Sequence, residues 1–291
     1  MEVLVLGVSG MLGSKVFEVL SERRGWRVVG TARSAATRGA FPASADIRTD
    51  IATTDLTALA DVLRDVRPQV VVNCIGVVKQ AEAVRDPLVA LAVNALFPHQ
   101  LARLCELGGI RLVHTSTDCV FSGRSGSYTE SDVADAEDLY GRSKLLGEVD
   151  AANAITLRTS FVGPEPAGEG RSGLLEWFLG QSGPVKGYAR AVFSGLTTDE
   201  LARVIADFVI PRPDLRGIYQ VSAAPINKYD LLHLFAEAYG RTNVIERDDD
   251  VVVDRSLDST RFRAATGYVP PDWTAMIAAM RRADRRKRAW Q

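Results

Sequence analysis

The sequence has few cysteines, almost no net charge and no long uninterrupted apolar run, and each shortage argues against a class of protein. Its 291 residues include only Cys74, Cys105 and Cys119, too few and too scattered for a disulfide framework or a zinc site. The 35 basic and 36 acidic residues leave a formal charge of −1, so no overall field favours nucleic acid or an anionic membrane. Without a run of roughly 18 apolar residues, no membrane span is predicted. We expect a soluble protein of a reducing cytoplasm.

The sequence does contain short segments rich in valine and isoleucine, which alternate with longer segments of helical period. Strands that are apolar on both faces and separated by helices indicate a parallel sheet covered on both sides. Right-handed crossovers make such a sheet doubly wound, so the predicted class is α/β with a Rossmann-type sheet. The predicted strands lie at 3–6, 27–31, 69–74, 110–116, 154–160 and 217–222, and the predicted helices include 12–20, 56–66, 87–107 and 198–209.

Two domains are expected from this pattern. Residues 1–160 would form the dinucleotide-binding domain, and residues 161–291 mainly a smaller, discontinuous C-terminal substrate domain. A segment of about 196–222 is a candidate to return to the main sheet. Glycine and proline cluster at 162–173, which predicts a loop. The basic run at 281–290 is expected to be a solvated last helix, because its cations lie near the negative end of the helix dipole.

The stretch VLVLGVSGMLGSKVF places Gly7, Gly10 and Gly13 between the first predicted strand and a helix. Glycines there permit a tight turn and let backbone amides approach a pyrophosphate, which the positive N-terminus of the helix then favours. The same residues would suit a plain strand-to-helix turn. Because they follow the first strand and open a well-patterned helix, they favour dinucleotide binding.

The choice between NADPH and NADH depends on the end of the second strand. An acidic residue that holds the ribose 2′-hydroxyl would be expected about 20 residues after the glycines. The sequence there reads Thr31-Ala32-Arg33, with no acid. The guanidinium of Arg33 could instead hold the 2′-phosphate of NADPH, or could simply be a surface charge. We expect NADPH as the cofactor, with NADH as the alternative.

The stretch DLYGRSKLLGE, at residues 138–148, places Tyr140 and Lys144 one helical turn apart, so that both side chains share a face. Upstream, HTSTDCVFSG ends a predicted strand with hydroxyl side chains, including that of Thr117. Ligands of a doubly wound sheet collect at the carboxyl ends of its strands, where Thr117 should lie. The three side chains can therefore converge on one carbonyl oxygen.

Reduction of a ketone needs these residue types. Hydride delivery leaves charge on the oxygen, so an acid must supply a proton. The ordinary pKa of a phenol is about 10, too high for efficient work at neutral pH. We expect the ammonium of Lys144 and the oxidised nicotinamide ring to lower the pKa of Tyr140 by about three units, which corresponds to about 4 kcal/mol. Thr117 would hydrogen-bond the same oxygen. The stretch is therefore predicted to be part of an active site.

These motifs resemble a known family. The spacing G-x-x-G-x-x-G is similar to that of extended short-chain dehydrogenase/reductases. NCIG at 73–76, STDCVFSG at 116–123, YGRSK at 140–144 and LRTSFVG at 157–163 follow in the order found in dTDP-4-dehydrorhamnose reductases. The segment DRSLDSTRF at 254–262 also looks like the C-terminal portion of that family. The resemblance covers essentially the whole chain.

The resemblance implies reduction of the 4-keto group of a nucleotide-linked 6-deoxyhexulose by NADPH or NADH, for a cell-surface polysaccharide precursor. It implies that Tyr140 is the proton donor, Lys144 its partner and Thr117 the residue that tunes its acidity. It also implies a set of cofactor-lining residues: Gly10, Met11, Leu12, Asp50, Ile51, Ile75, Gly76 and Asn94, with Tyr140 and Lys144.

The sequence departs from that family near the expected sugar. Cys119 stands where these reductases usually have tyrosine, and Phe161 stands where they have tryptophan. IGVVKQ also replaces the usual run of small residues after the fourth strand. These three changes resemble reductases that act on UDP-linked N-acetylated 6-deoxy-4-hexuloses. Arg255 is a candidate to bind the substrate diphosphate, and a surface salt bridge is an equal alternative. The expected substrate-binding set is Thr117, Asp118, Cys119, Phe161 and Arg255.

Other functions share this pattern. A 4,6-dehydratase would have glutamate in place of Cys119, which argues against it. A nucleotide-sugar 4-epimerase uses the same Thr, Tyr and Lys, and would be recognised by nicotinamide that stays bound during purification. A non-catalytic regulatory subunit, like the methionine adenosyltransferase β subunit, is also similar to these reductases. The intact Tyr140, Lys144 and Thr117 favour an enzyme. The expected partner is a nucleotide sugar, a homodimer is left open, and no metal ligand set is identified.

Overall fold

A parallel sheet of seven strands forms the centre of the molecule in the computed structural model. The structure describes residues 1–79, 82–166 and 173–289, without the side chains of Glu82 and of 285–289. Part of the predicted loop at 162–173 and most side chains of the basic tail therefore lie outside the described residues. The strands are β1 Glu2–Leu6, β2 Arg27–Thr31, β3 Asp46–Arg48, β4 Val70–Asn73, β5 Arg111–Thr115, β6 Ala154–Arg158, β7 Phe161–Val162, β8 Val185–Tyr188, β9 Ala191–Phe193, β10 Leu196–Thr197, β11 Gly217–Gln220, β12 Ile226–Asn227, β13 Ile245–Asp248 and β14 Val253–Asp254.

Helices cover both faces of this sheet. They are α1 Met11–Ser21, α2 Leu56–Val66, α3 Pro87–Ala90, α4 Phe97–Leu107, α5 Leu139–Leu146, α6 Leu174–Leu179, α7 Thr198–Val204, α8 Lys228–Tyr239, α9 Thr260–Thr266 and α10 Trp273–Ala289. The strand order is β11-β6-β5-β4-β1-β2-β3, and every neighbouring pair is parallel. The chain thus runs outward in one direction from β1 to β3 and in the other from β4 to β11. The predicted α/β class with a doubly wound sheet is confirmed, and its topological switch point lies between β1 and β4.

The alternating side chains of β1 show how the sheet divides the core. Val3 and Val5 pack in the core on one face, whereas Leu4 and Leu6 pack in the core on the other. All four side chains are fully buried. Burial of each contributes about 1.5–3 kcal/mol, which explains why the strand has no polar face.

The segment predicted as one helix at 87–107 is helical but not regular. Helix α3 continues into a π-helical turn at Leu91–Leu96, which contains the buried Asn94, and then into α4. Within the described residues, Pro87–Leu107 is the one helix that is long and apolar enough to cross a membrane, with a mean hydropathy of 1.3. This is weak evidence for a span, because the core helix of a soluble protein has the same composition. Phe97 and Leu101 are buried against the main sheet.

The chain after β6 alternates between the main sheet and smaller ones. Strand β11 pairs with β6 in the main sheet, and α7 packs against α1. Strands β12, β9 and β14 form a separate three-stranded sheet, and β13 pairs with β8. The sequence did not predict β3 or these short strands. Helix α7 continues as a π-helical turn at Ile205–Val209, within the predicted helix 198–209.

Candidate active site

The glycine turn between β1 and α1 is too tight for side chains. Gly7 has φ +84°, a left-handed conformation that glycine adopts readily. A Cβ on Gly13 would lie 2.1 Å from the carbonyl oxygen of Gly7. The amide of Gly10 donates to that same oxygen over 3.0 Å, and no side chain caps α1 at Gly10. The turn therefore leaves uncapped amides at the positive end of an 11-residue helix, the arrangement that suits a pyrophosphate.

The end of β4 joins this turn to the predicted catalytic lysine. A Cβ on Gly7 would lie 2.9 Å from Cγ1 of Ile75, so the two strand ends are in contact. A Cβ on Gly76 would lie 3.4 Å from Oδ1 of Asn94 and 3.8 Å from Nζ of Lys144. The residues that the resemblance assigned to the cofactor and to catalysis are therefore neighbours in space.

Asn94 is placed by its own hydrogen bonds. Its Oδ1 accepts from the amide of Val77 over 2.9 Å, and its Nδ2 donates to Oγ of Ser143 on α5 over 3.1 Å. Asn94 is 1% exposed and lies in the π-helical turn, a local irregularity that is common at functional sites. It ties the end of β4 to the helix that carries Tyr140 and Lys144.

The remaining predicted cofactor residues follow strands β2, β3 and β4 or begin α1. Arg33 is exposed just beyond β2. Asp50 follows β3 with φ +64°, a conformation that aspartate tolerates better than most side chains. Ile51 and Ile75 line one small pocket, of which Thr31 also forms a wall. Met11 is half-buried and Leu12 is buried at the start of α1.

Helix α5 carries Tyr140 and Lys144 and is held close to the loop after β5. Asp138 caps it by accepting from the amide of Gly141 over 2.7 Å, and its carboxylate also pairs with Lys79 over 2.5 Å. A Cβ on Gly141 would lie 2.2 Å from the carbonyl oxygen of Cys119. Only glycine therefore allows α5 to approach the loop so closely.

The side chain of Lys144 is shielded from solvent. Its side chain is buried, and Nζ donates to the carbonyl oxygen of Thr115 over 2.7 Å. Burial lowers the pKa of Lys144 to about 8, although the nearby Glu148 and Cys74 act in the opposite direction. The ammonium form therefore predominates at pH 7 by a modest margin.

The structure corrects the expectation for Tyr140. Its pKa is raised rather than lowered, and the largest cause is burial, which disfavours the phenolate. Cys119 acts in the same direction, whereas a side-chain hydrogen bond with Thr117 acts against it. The expected lowering by the ammonium of Lys144 was wrong, because loss of solvation outweighs the favourable contacts with the protein's own groups. The lowering expected from an oxidised nicotinamide ring stays a prediction.

The loop after β5 presents Thr117, Asp118 and Cys119 beside the phenol. The hydroxyl of Thr117 accepts from the amide of Cys119 over 3.1 Å and donates to Oδ1 of Asp118 over 3.2 Å. Burial raises the pKa of Asp118, and Lys228 and Arg255 oppose this effect. Burial likewise raises the pKa of Cys119 to about 12, so at neutral pH it is a thiol and not a reactive thiolate.

The other two predicted substrate residues differ in their placement. Arg255 donates to the carbonyl oxygens of Phe121 and Ser122, over 2.9 and 3.2 Å, and so holds the loop in place. These hydrogen bonds use two of its three guanidinium nitrogens, and the structure gives it no surface salt bridge among the described residues. Phe161 is half-buried in β7, which pairs with β10. Their contact with a substrate stays a prediction.

Sequence reasoning missed one cation near this loop. Lys228 is the first residue of α8, and its Nζ lies 3.6 Å from the ring centroid of Phe193. Burial lowers its pKa to about 8, while Asp118 and Cys119 act in the opposite direction. A lysine directly after the helix-capping Asn227 was the available signal, because a cation is unfavourable at the positive end of a helix dipole.

Comparison with known proteins gives a family and several relatives. A family model described as RmlD substrate binding domain matches residues 1–238. A protein of Haloferax volcanii named "Probable low-salt glycan biosynthesis reductase" is 37% identical over 56% of this chain and 54% of its own length. A dTDP-4-dehydrorhamnose reductase of Streptomyces griseus is 37% identical over 50% of this chain and 43% of its own length. The chain thus spans about half the length of these curated relatives.

Longer but weaker similarities were also found. A methionine adenosyltransferase 2 subunit beta of Danio rerio is 28% identical over 81% of this chain and 73% of its own length. The crystal structure of a dTDP-4-dehydrorhamnose reductase of Clostridium acetobutylicum has a TM-score of 0.79 and 19% identity, and covers 98% of this chain and 100% of that one. A dTDP-4-dehydrorhamnose reductase of Bacillus anthracis in complex with NADP has a TM-score of 0.73 and 18% identity, with 96% of each chain covered. At these identities the two structures are evidence for the fold alone.

Proposed function

The chain belongs to the RmlD substrate binding domain family, and from this premise we propose that it reduces the 4-keto group of a nucleotide-linked 6-deoxyhexulose with NADPH or NADH. One observation carries the proposal. The ammonium of Lys144 lies beside Gly76 at the edge of the glycine-lined crevice, on the helix of Tyr140. A proton donor, its cationic partner and a dinucleotide-type turn therefore meet at the switch point of the sheet.

In this proposal Tyr140 donates a proton to the carbonyl oxygen of the substrate. The raised pKa of Tyr140 keeps the phenol protonated at neutral pH, so a proton is available, and bound substrate and cofactor would have to lower that pKa for efficient transfer. Thr117, whose side chain favours the phenolate of Tyr140, would hold the same oxygen. After the proton has left, the ammonium of Lys144 offsets the phenolate charge within a poorly solvated site.

The residues present fit a dinucleotide. The turn at Gly7 and Gly13 has no room for a Cβ, and the uncapped N-terminus of α1 can hold a pyrophosphate. When bound, the cofactor supplies the hydride. Gly76 and Asn94 would line the nicotinamide end, beside Lys144. The exposed Arg33 supports NADPH over NADH, because its guanidinium can bind a 2′-phosphate.

The loop after β5 suggests which sugar nucleotides within this class the site would accept. Cys119 is smaller than the tyrosine of related reductases and remains an uncharged thiol. A site with that extra space would accept a substituted sugar, so we propose UDP-linked N-acetylated 6-deoxy-4-hexuloses beside dTDP-4-dehydrorhamnose. The three free cysteines are consistent with a reducing compartment for this reaction.

The test is consumption of NADPH, and separately of NADH, with a panel of dTDP- and UDP-linked 4-ketohexoses. We expect turnover with at least one 4-keto sugar nucleotide, and none with the matching 4-hydroxy sugar nucleotide or with the nucleoside diphosphate alone. Mass spectrometry of the product should show a gain of two hydrogens. Absence of turnover across the panel, with cofactor shown to be bound, would refute the reductase proposal.

A second candidate is a binding subunit, because a relative matched over 73% of its own length is a methionine adenosyltransferase 2 subunit beta. In that case the chain would form a stable complex with a methionine adenosyltransferase catalytic subunit, and Tyr140→Phe would bind it equally well. Analytical ultracentrifugation of the mixture tests this. Complex formation without turnover of any 4-keto sugar would favour the second candidate.

A further inference from the structure

The positive charge of Lys228 has no role in the proton transfer proposed for Tyr140, Lys144 and Thr117. It is half-buried at the first position of α8, where it faces the positive end of the helix dipole. Its ammonium lies on the face of Phe193, and among the described residues no carboxylate is within ion-pair distance of it. Both the burial and the helix position are unfavourable for a cation. The contact with the ring of Phe193 opposes this cost, and no ion pair among the described residues adds to it.

The three-stranded sheet β12-β9-β14 places Lys228 near the loop that follows β5, which we call the catalytic loop and which contains Thr117, Asp118 and Cys119. Strand β9 pairs with β12 on one side and with β14 on the other. Ile226 lies opposite Phe193, so Lys228 follows β12 directly beside that ring. Arg255 follows β14 and is hydrogen-bonded to the loop. One rigid element thus holds Lys228 and also ties down the loop of Thr117, Asp118 and Cys119.

Two of the cations around this loop, Lys79 and Arg255, have close polar partners, whereas Lys228 has none within ion-pair distance among the described residues. Lys79 is paired with Asp138, and Arg255 is used by two carbonyl oxygens. Asp118 is the acidic group that most favours the charged form of Lys228, yet it is 5% exposed and burial disfavours its own anionic form. The ammonium of Lys228 is therefore only partly compensated. An anion that enters the site would gain a charge-assisted hydrogen bond without displacing an existing ion pair.

We infer that Lys228 is a substrate-binding residue supplied by the second domain, whose ammonium binds the diphosphate of a nucleotide-linked sugar. The inference rests on the proposed function for the class of ligand. The face of Phe193 orients the ammonium, and loss of water from the site strengthens its attraction to phosphate oxygens. Arg255 holds the loop beside this lysine through the carbonyl oxygens of Phe121 and Ser122.

The experiment compares direct binding of UDP and dTDP with that of uridine and thymidine by isothermal titration calorimetry, on protein saturated with NADPH. Lys228→Met removes the charge and keeps the length of the side chain, and Lys228→Arg restores a charge. Lys186→Met is the matched control, because Lys186 is an exposed lysine that pairs with Asp248 over 2.9 Å. Unfolding temperature and NADPH affinity are measured for each variant.

We expect Lys228→Met to bind the diphosphates about 10- to 100-fold more weakly and the nucleosides equally well. Lys228→Arg should recover part of the loss, Lys186→Met should bind like wild type, and no variant should change NADPH affinity. Equal diphosphate affinity in Lys228→Met and wild type overturns the inference but leaves the reductase proposal intact. A loss for nucleosides as large as that for diphosphates also overturns it. Diphosphate binding that depends on Lys228, without turnover of any 4-keto sugar, would retain the site and remove the reductase.

Discussion

The cofactor end and the catalytic end of the proposed site are built in different ways. Around Gly7 and Gly13 the backbone forms the site, and a single added carbon would overlap a carbonyl group. Around Tyr140, Lys144 and Lys228 the side chains form it, and burial shifts the pKa of each. The first end is therefore sensitive to any gain of volume, whereas the second is sensitive to the loss of a proton or a charge. Substitutions can test this difference directly.

The largest effect is expected from Tyr140→Phe, which removes the proton donor and little volume. The rate constant kcat for a 4-keto sugar nucleotide should fall by about 10²- to 10⁴-fold, because general acid catalysis is lost. NADPH affinity and the unfolding temperature should stay close to wild type, since the cofactor end is unchanged. Stopped-flow absorbance at the NADPH band measures the rate. A kcat equal to that of wild type would show that another group supplies the proton.

At the cofactor end, Gly13→Ala should act by volume alone. The new Cβ would lie 2.1 Å from the oxygen of Gly7, so the turn must move. We expect a loss of about 1–3 kcal/mol in the free energy of unfolding and at least about 10-fold weaker NADPH binding. Gly39→Ala is the control, because no heavy atom lies within 4 Å of its added Cβ. The role given to the turn fails if both variants bind NADPH like wild type.

The two ends also differ in how well the sequence predicted them. The glycine turn, the order of strands and the helix of Tyr140 and Lys144 followed from local patterns: residue spacing, apolar runs and turn chemistry. These features are encoded by neighbouring residues, so one stretch of sequence contains the information. Six of the seven strands of the main sheet were predicted within a few residues, and β3, at three residues, was too short to detect.

The features that could not be predicted from the sequence depend on contacts between residues that are far apart in the chain. Lys228 meets the catalytic loop only because β12 pairs with β9, and no local signal predicts that pairing. The pKa of Tyr140 depends mainly on burial, which the neighbouring lysine does not reveal, so reasoning from that lysine gave the wrong direction. The π-helical turn around Asn94 likewise depends on packing against α5, where a Cβ on Gly147 would lie 1.8 Å from the carbonyl oxygen of Asn94.

A smaller effect is expected at Arg33, where the cofactor end uses a side chain. Arg33→Ser should raise the KM for NADPH about 10-fold and leave the KM for NADH unchanged, because only NADPH carries the 2′-phosphate. Arg24→Ser is a suitable control, since Arg24 is also exposed but precedes β2. Steady-state kinetics with both cofactors measure the change. Equal KM values for NADPH in Arg33→Ser and wild type would remove Arg33 from the cofactor site.

The smallest effect tests the charge of Lys144 without any substitution. Its pKa is lowered to about 8, so the ammonium is present below that pH and is lost above it. Because the ammonium offsets the phenolate, kcat should be level below about pH 7 and decrease as pH rises through about 8, approaching tenfold per unit. A pH profile of kcat at saturating substrate measures this decrease.

Lys228 also has a pKa of about 8, so the profile needs two variants to identify the group. Lys228→Met should keep the decrease in kcat, because a residue that binds the diphosphate acts mainly on KM. Any residual activity of Lys144→Arg should lack a decrease near pH 8, since the guanidinium stays charged. If Lys228→Met abolishes the decrease and Lys144→Arg retains it, the titrating charge is that of Lys228 at the start of α8. In that case the chemical step at the catalytic end depends on the small sheet as well as on α5.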